Sequence, residues 1–362
     1  MGVLAALAIL AGLIVVHETG HFLAATLQGI RVSSFSIGFG PVLLERRWRG
    51  VQFALRAIPL GGFVGFPDDD EDSPIPPNDP DLLRNRPLGQ RALVIAAGVL
   101  ANLLLAWTVL LAQGLVVGIP SGFSATPGVL VSGVQSAQPA AAAGLRAGDR
   151  ITALAGVTLG GGQTAVSTLV EQIKAAPGSP LTLAVERNGQ SLQLQLTPGD
   201  VGGVGRIGAQ LQPSGSESFR PANGPLEPLR QANHDFILLL KRTIDGFTTL
   251  LTHFGSTASQ VSGPVKIVEM GASLASQGGS SLFLFTALIS INLAVLNALP
   301  LPLLDGGQMV LLLLEGLRGR PLPERFQMAF MQSGFVFLVG LSVVLIVKDT
   351  SQLAVVQQLL GR

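Results

Sequence analysis

His17 and His21 are four residues apart, so on a helix they sit one above the other on the same face. That spacing lets two imidazoles grip one zinc ion. Glu18 points about a third of a turn away and can reach a water on the metal's open position. The chemistry such a group performs is hydrolysis. Its setting is unusual, because Val3 to Val16 is almost all Ala, Leu, Ile, Val and Gly. A charged residue in a spanning segment costs roughly 2.5–3.5 kcal/mol on insertion scales, which makes it a functional residue by default. The stretch points to a zinc hydrolase whose metal is held inside the bilayer.

A catalytic zinc normally has three protein ligands plus water, so one ligand is missing. Asn297-Ala-Leu-Pro-Leu-Pro-Leu-Leu-Asp305-Gly-Gly307 supplies the candidate, since Asp305 is the only carboxylate between Glu269 and Glu315 and lies in an apolar region. Alone, Asp305 would also suit a helix cap after a Pro break; beside an intramembrane H-E-x-x-H, the ligand reading dominates. Asn297 lies two turns earlier, and its amide suits a substrate backbone, the tetrahedral oxyanion, or a cap on the broken helix. His234 and His253 fall beside or on an amphipathic stretch and are read as surface residues, not ligands.

These groups need a membrane scaffold. The chain has 362 residues, 48% hydrophobic and 12% charged, against about 25% charge in a soluble domain. A net charge of +1 gives no hint of a nucleic-acid partner, and the absence of cysteine excludes disulfides and thiolate metal sites. The N-terminal apolar run lacks a basic n-region, and its removal would discard two metal ligands, so it is read as a retained span.

Along the chain, the first span runs from about Gly2 to Leu27 and the second from Ala92 to about Val117, where Gly98 and Asn102 share a face suited to close packing and an interhelical hydrogen bond. Val42 to Phe66 alternates apolar and polar residues and is cut by Gly and Pro, which predicts a small sheet against or dipping into the membrane. Asp68 to Asp72 and the Pro-rich stretch to Pro80 form a solvated loop, a linker or a gate. Residues 127–198 read as a compact soluble domain, and Gly202 to Pro228 as linker. Phe236 to Phe254 reads as an amphipathic helix. Ser281 to Leu317 is too long for one span and is broken by Pro300, Pro302, Gly306 and Gly307. Phe326 to Val347 is the last span, with a short amphipathic tail after it. The expected architecture is a mostly α-helical membrane protein of about four transmembrane helices, a membrane-associated β-region and one inserted α+β domain, divided at 1–118, 127–198, 199–280 and 281–362.

Basic residues set the orientation. Arg31, Arg46, Arg47, Arg49 and Arg56 follow the first span, Arg84, Arg86 and Arg91 precede the second, and Arg318, Arg320 and Arg325 separate the last two. With four alternating spans all of these face the cytoplasm, and the soluble domain and both termini lie opposite.

The combination of His17-Glu-Thr-Gly-His21, Gly38-Phe-Gly-Pro41 and Asn297-x-x-Pro-x-Pro-x-Leu-x-Asp-Gly-Gly resembles the site-2 protease family of intramembrane zinc metalloproteases. Ala143-Gly-Leu-x-x-Gly-Asp-x-Ile151 is similar to the PDZ domains that bacterial members carry between the second and third spans. The resemblance implies that His17, His21 and Asp305 bind one catalytic Zn2+ and that Glu18 is the acid/base. It also implies that Gly61, Gly62 and Phe63 belong to a re-entrant β-region engaging substrate as an added strand. The implied substrates are single-span membrane proteins of the anti-sigma-factor kind, cut in regulated intramembrane proteolysis in a cell membrane, with the PDZ-like domain outside the cytoplasm. The family's Gly-Pro-x-x-x-Asn pattern lacks its Pro here, and there is room for one PDZ domain, not a tandem pair. A catalytically silent scaffold or chaperone on the same fold is the alternative, which the retention of Glu18, both histidines and Asp305 argues against.

Overall fold

The computed structural model of the chain describes residues 2–69, 74–135, 138–187, 189–253, 263–277 and 279–351. The acidic turn at 70–72, Phe254 and the tail beyond 351 lie outside them. Two compact units emerge: residues 1–117 with 222–351, and residues 118–221.

The first unit is helical. Its long elements are α1 (Gly2–Leu27), α2 (Leu88–Val116), α5 (Leu226–Thr252), α6 (Pro264–Gln277), α7 (Gly279–Ala298), α8 (Asp305–Arg318) and α9 (Glu324–Ser351). Four helical stretches, Gly2–Leu27, Leu88–Val116, Ser280–Ala298 and Arg325–Val347, are long and apolar enough to cross a membrane. They are apolar all round, so their outward faces are suited to lipid, and only narrow stripes are buried against protein. On α2 that stripe is Val94, Gly98, Asn102, Ala106, Leu110 and Gly114, a strict repeat of four. Small residues within it let neighbouring backbones approach. Thus Ala106 and Leu110 pack with Ala287 and Ile291 of α7 and Ala232 of α5, and the buried Ser290 hydroxyl donates to the Asn102 carbonyl at 2.7 Å. Near its start, α2 is tied to α8 by Arg91 Nη1 and the buried Glu315 Oε2, 2.9 Å apart. Glu315 Oε1 also accepts from Gln327 Nε2 at 3.2 Å.

The expected β-region is two long strands, β1 (Ser34–Trp48) and β2 (Val51–Gly65). Their tight turn is Arg49-Gly50, with φ of 50° and 84°, the double positive φ that a two-residue hairpin of matching twist requires. Both strands bend, so four segments pair. Residues 44–48 lie antiparallel to 51–55; 52–55 lie in turn beside 34–37, with partners advancing in the same sense; and 34–37 take 62–65 on their other side. Phe35 packs on Phe22 of α1 and on Phe53, within a small core that includes Ala25, Ile30 and Val94. Residues 39–50, by contrast, are exposed throughout, including Leu43, Leu44 and Trp48.

The second unit is a sheet in the order β10-β3-β4-β6-β7, with β5 paired to β4. These strands are β3 (Ile119–Val134), β4 (Arg150–Leu154), β5 (Val157–Thr158), β6 (Leu181–Arg187), β7 (Gln190–Leu196) and β10 (Ala209–Arg220). A short α3 (Pro139–Ala142), the longer α4 (Gly162–Lys174) and a hairpin of β8 (Gly199–Val201) and β9 (Val204–Arg206) complete it. The α4 face of Ala165, Val166, Leu169 and Ile173 covers Val129, Val131, Ile151, Leu183 and Val185. Here the fold departs from the expected linker at 202–228. Residues 209–220 are a strand paired with β3 from Ala209↔Val134 to Arg220↔Ile119. The Gly, Pro and Ser content there reads locally as linker, and only the distant partner strand makes it sheet. Helix α6, likewise within the stretch read as linker and one amphipathic helix, packs so closely on α1 that a Cβ at Gly271 would lie 2.8 Å from that of Ala6.

Asp149 holds the turn before β4. It is 1% exposed, accepts from Arg187 Nε and Nη2 at 2.7 Å each, and accepts from the Arg146 N–H at 2.8 Å. Asp149→Ala strands a partly buried guanidinium and a backbone donor, so it should destabilise this unit by about 3 kcal/mol. Hydrogen exchange on the full chain should show protection lost across 118–221 and kept in the helices; unchanged protection would refute this role.

Candidate metal centre

The site begins with two glycines. A Cβ on Gly20 would lie 2.4 Å from the Ala97 carbonyl, and one on Gly98 would lie 2.3 Å from His21 Nε2 and 2.6 Å from His17 Cε1. Helices α1 and α2 therefore touch at backbone distance where His17 and His21 emerge, and the imidazoles occupy the space a side chain at 98 would fill. Ring centroids are 4.8 Å apart and nearly perpendicular.

The carboxylate comes from the break between α7 and α8. After Ala298 the chain makes a tight loop through Leu303, a non-glycine residue at φ 72°, a conformation that costs about 1 kcal/mol or more. Gly306 and Gly307 allow that loop to fold over the first turn of α8, since Cβ atoms there would lie 2.3 Å from the Ala298 and Leu299 carbonyls and 2.1 Å from that of Leu301. Asp305 is not the helix cap: Leu304 holds that position, with no side-chain cap bond. Instead the Asp305 carboxylate faces the histidines.

His17 Nε2 and His21 Nε2 are 3.3 Å apart, His17 Nε2 lies 3.3 Å from Asp305 Oδ2, and His21 Nε2 lies 3.4 Å from Asp305 Oδ1. Zinc bonds of 2.0–2.1 Å in a tetrahedron set ligands roughly 3.3–3.4 Å apart. With one donor taken from each residue, all three fall within 4.8 Å of one another, and this is the group among the described residues that could hold a metal ion. Asp305 Oδ2 is buried yet has no hydrogen-bond partner, as befits a ligand lone pair. Two imidazoles and a carboxylate are a donor set that zinc accepts. His21 is already fixed for this task. Its Nδ1 lies 2.8 Å from the Val94 carbonyl, which can only accept, so Nδ1 carries the hydrogen and Nε2 is left with its lone pair.

Two other expected residues lie close by. Asn297 Nδ2 is 3.3 Å from His17 Nε2. A Cβ on Gly62 would lie 2.9 Å from Glu18 Cγ, so the 62–65 segment meets the Glu18 side chain at Gly62. Gly61, at φ 122°, faces the Phe39 ring, and Phe63 stacks on that ring at 6.5 Å and lies under Arg56. The Val94 carbonyl is invisible to a reading of side-chain types. Asn102, singled out for an interhelical bond, reaches His17 Nδ1 at 3.2 Å.

Gly98→Ala should displace both imidazoles and lower zinc affinity by about tenfold or more. Gly89→Ala, on the same helix with nothing within 4 Å of the new methyl, should leave it unchanged. Metal analysis after dialysis against graded chelator distinguishes the two; equal zinc in both would refute the close approach.

The sequence profile of peptidase family M50 matches residues 5–341. A protein of Nostoc sp., named as a candidate zinc metalloprotease, is 50% identical over 355 residues, covering 98% of this chain and 97% of that protein. The membrane metalloprotease ARASP of Arabidopsis thaliana, named as chloroplastic, is 45% identical over 362 residues, covering 99% of this chain and 80% of that protein. A candidate zinc metalloprotease of Agrobacterium fabrum is 32% identical over 370 residues, at 95% and 94% coverage. The likeness thus runs through both halves of the metal centre, as the motifs implied, and the chain belongs to peptidase family M50.

Proposed function

We propose that this chain is an intramembrane zinc metalloprotease that cuts the spanning segments of membrane-anchored proteins, with His17, His21 and Asp305 holding the metal and Glu18 moving the proton. What supports the reading is the cluster of His17, His21 and Asp305, where each imidazole Nε2 lies 3.3–3.4 Å from one oxygen of the carboxylate and one donor atom per residue falls within 4.8 Å of the others, on helices apolar enough to span.

A peptide bond in a spanning helix is shielded by the helix's own hydrogen bonds, so the substrate must unwind before it reacts. The 62–65 edge suits the unwound segment. It pairs on one side with 34–37, and among the described residues no strand occupies its other side. Substrate added there would run past Glu18, with Gly61, Gly62 and Phe63 meeting its backbone. Zinc, when bound, polarises the scissile carbonyl and lowers the pKa of a coordinated water to about 7. Glu18 takes the proton of the attacking water and returns it to the leaving amine. Asn297 is close enough to donate its amide hydrogens to the oxyanion that forms.

The 118–221 unit we read as a single PDZ-like domain, with the Ala143–Ile151 turn leading into β4 and α4 lying over the sheet. It would filter substrates by size or sense a trimmed end. The arginines between the first two spans and between the last two support a cytoplasmic side for those loops and the opposite side for this domain. Single-span proteins of the anti-sigma-factor kind are substrates of the right form.

Glu18→Gln keeps shape but accepts no proton. Zinc content should stay at the parent level while cleavage of a reconstituted single-span substrate falls by about 10²–10⁴-fold; near-normal turnover would remove Glu18 from the mechanism. The absence of cysteine makes orientation directly testable. Asn78→Cys and Ser167→Cys should label from opposite faces of sealed vesicles, Asn78 from the cytoplasmic one; labelling of both from one face would overturn the arrangement.

A further inference from the structure

The two histidines differ in how their outer nitrogens are held. His21 Nδ1 meets a carbonyl, which fixes its hydrogen there. His17 Nδ1 meets the Asn102 side chain, with Nδ2 at 3.2 Å. Nδ2 is a donor only, so in this orientation the amide offers a hydrogen on Nδ1 no acceptor, while Nε2 has both the Asn297 amide and the Asp305 carboxylate at 3.3 Å and the ring also bonds the Gly98 carbonyl; a neutral imidazole bare at Nδ1 would carry its hydrogen on Nε2. Nε2 is the atom that points into the donor triangle, and with a hydrogen on it His17 cannot bind metal. Asn102 Oδ1, meanwhile, is buried without a hydrogen-bond partner. Asn102 is 0% exposed, so neither amide end can turn to water for relief. Half a turn of the amide brings Oδ1 onto Nδ1 and gives it a donor.

We propose that Asn102 is the positioning residue of His17: with zinc bound, its Oδ1 accepts from His17 Nδ1–H, which holds the ring and keeps Nε2 free for the metal. The amide can face Nδ1 with either end, so it supports both tautomers of His17, whereas the Val94 carbonyl supports only one of His21. Its backbone is held for the task, because the Ser290 hydroxyl from α7 donates to the Asn102 carbonyl. Gly98, one turn earlier on the same stripe, leaves room for both rings, which a Cβ there would meet at 2.3–2.7 Å. The inference rests on His17 Nε2 being a zinc ligand.

The test is zinc affinity of the full-length protein in detergent, by competition with a chelator of known affinity. The parent, Asn102→Asp, Asn102→Leu and Asp305→Ala are compared, with thermal unfolding of each metal-free protein alongside. Asp offers acceptors only and should hold zinc within a few-fold of the parent. Leu fills the space without accepting and should weaken zinc by about 10–100-fold while the metal-free protein stays folded; should Leu not fold, Asn102→Ala is read in the same way. A merely structural, packing role predicts the reverse order, because a buried carboxylate disturbs packing more than Leu does. Leu binding zinc as the parent does, or Asp failing with Leu, overturns the proposal. Parent-like zinc in Asp305→Ala would mean that the metal centre itself is misassigned, a separate failure that removes the proposal with it.

Discussion

Three polar groups meet within 4.8 Å of one another in largely buried, apolar surroundings, and the helical unit is shaped by that demand. Two of them, one turn apart, come with a single helix. The third comes from a segment 284 residues beyond His21 and must be delivered by backbone alone. The delivery uses a helix break, a leucine in the left-handed region and two glycines that let the loop fold back on α8. Each of these would be a defect in an ordinary helix. Here each shortens the path by which Asp305 reaches the histidines, and the strain stays beside the site that uses it. On the opposite side, the contact of α1 with α2 at Gly20 and Gly98 presses both rings toward the carboxylate.

The membrane placement we propose for the β-region imposes a related constraint. A strand inside a bilayer cannot leave its backbone groups unpaired against lipid. By bending twice, β1 and β2 give each inner segment partners on both sides, so a two-strand hairpin acts as a four-segment sheet. Among the described residues, the edge at 62–65 has no strand on its other side, and Gly62 of that edge lies beside Glu18. The far limb, 39–50, is exposed on both faces, with apolar residues toward its base and Arg46, Arg47, Trp48 and Arg49 toward the turn. That gradient suits a passage from acyl chains to headgroups.

Much of this could be read from residue types. The His spacing, the lone carboxylate in an apolar region and the Pro and Gly that break the third span are local signals, and local rules on helices and zinc ligands suffice to interpret them. What could not be read depends on partners far away in sequence. Residues 209–220 look like linker until Ile119–Val134 is beside them. The doubled pairing of 34–37 needs both halves of β2 at once. The Val94 carbonyl has no side-chain signature at all, yet it fixes the hydrogen of His21. Asp305 carried two readings, cap and ligand, which differ by a single position at the helix start; the cap position belongs to Leu304.

The ladder between β3 and β10 continues to Ile119 and Arg220, and paired residues of neighbouring strands have Cα atoms roughly 4.5–5.5 Å apart. The 118–221 unit therefore begins and ends at neighbouring positions of one ladder. Such an insertion behaves as a cassette. Its two ends lie as close as the ends of a hairpin, where a two-residue turn suffices to join paired strands.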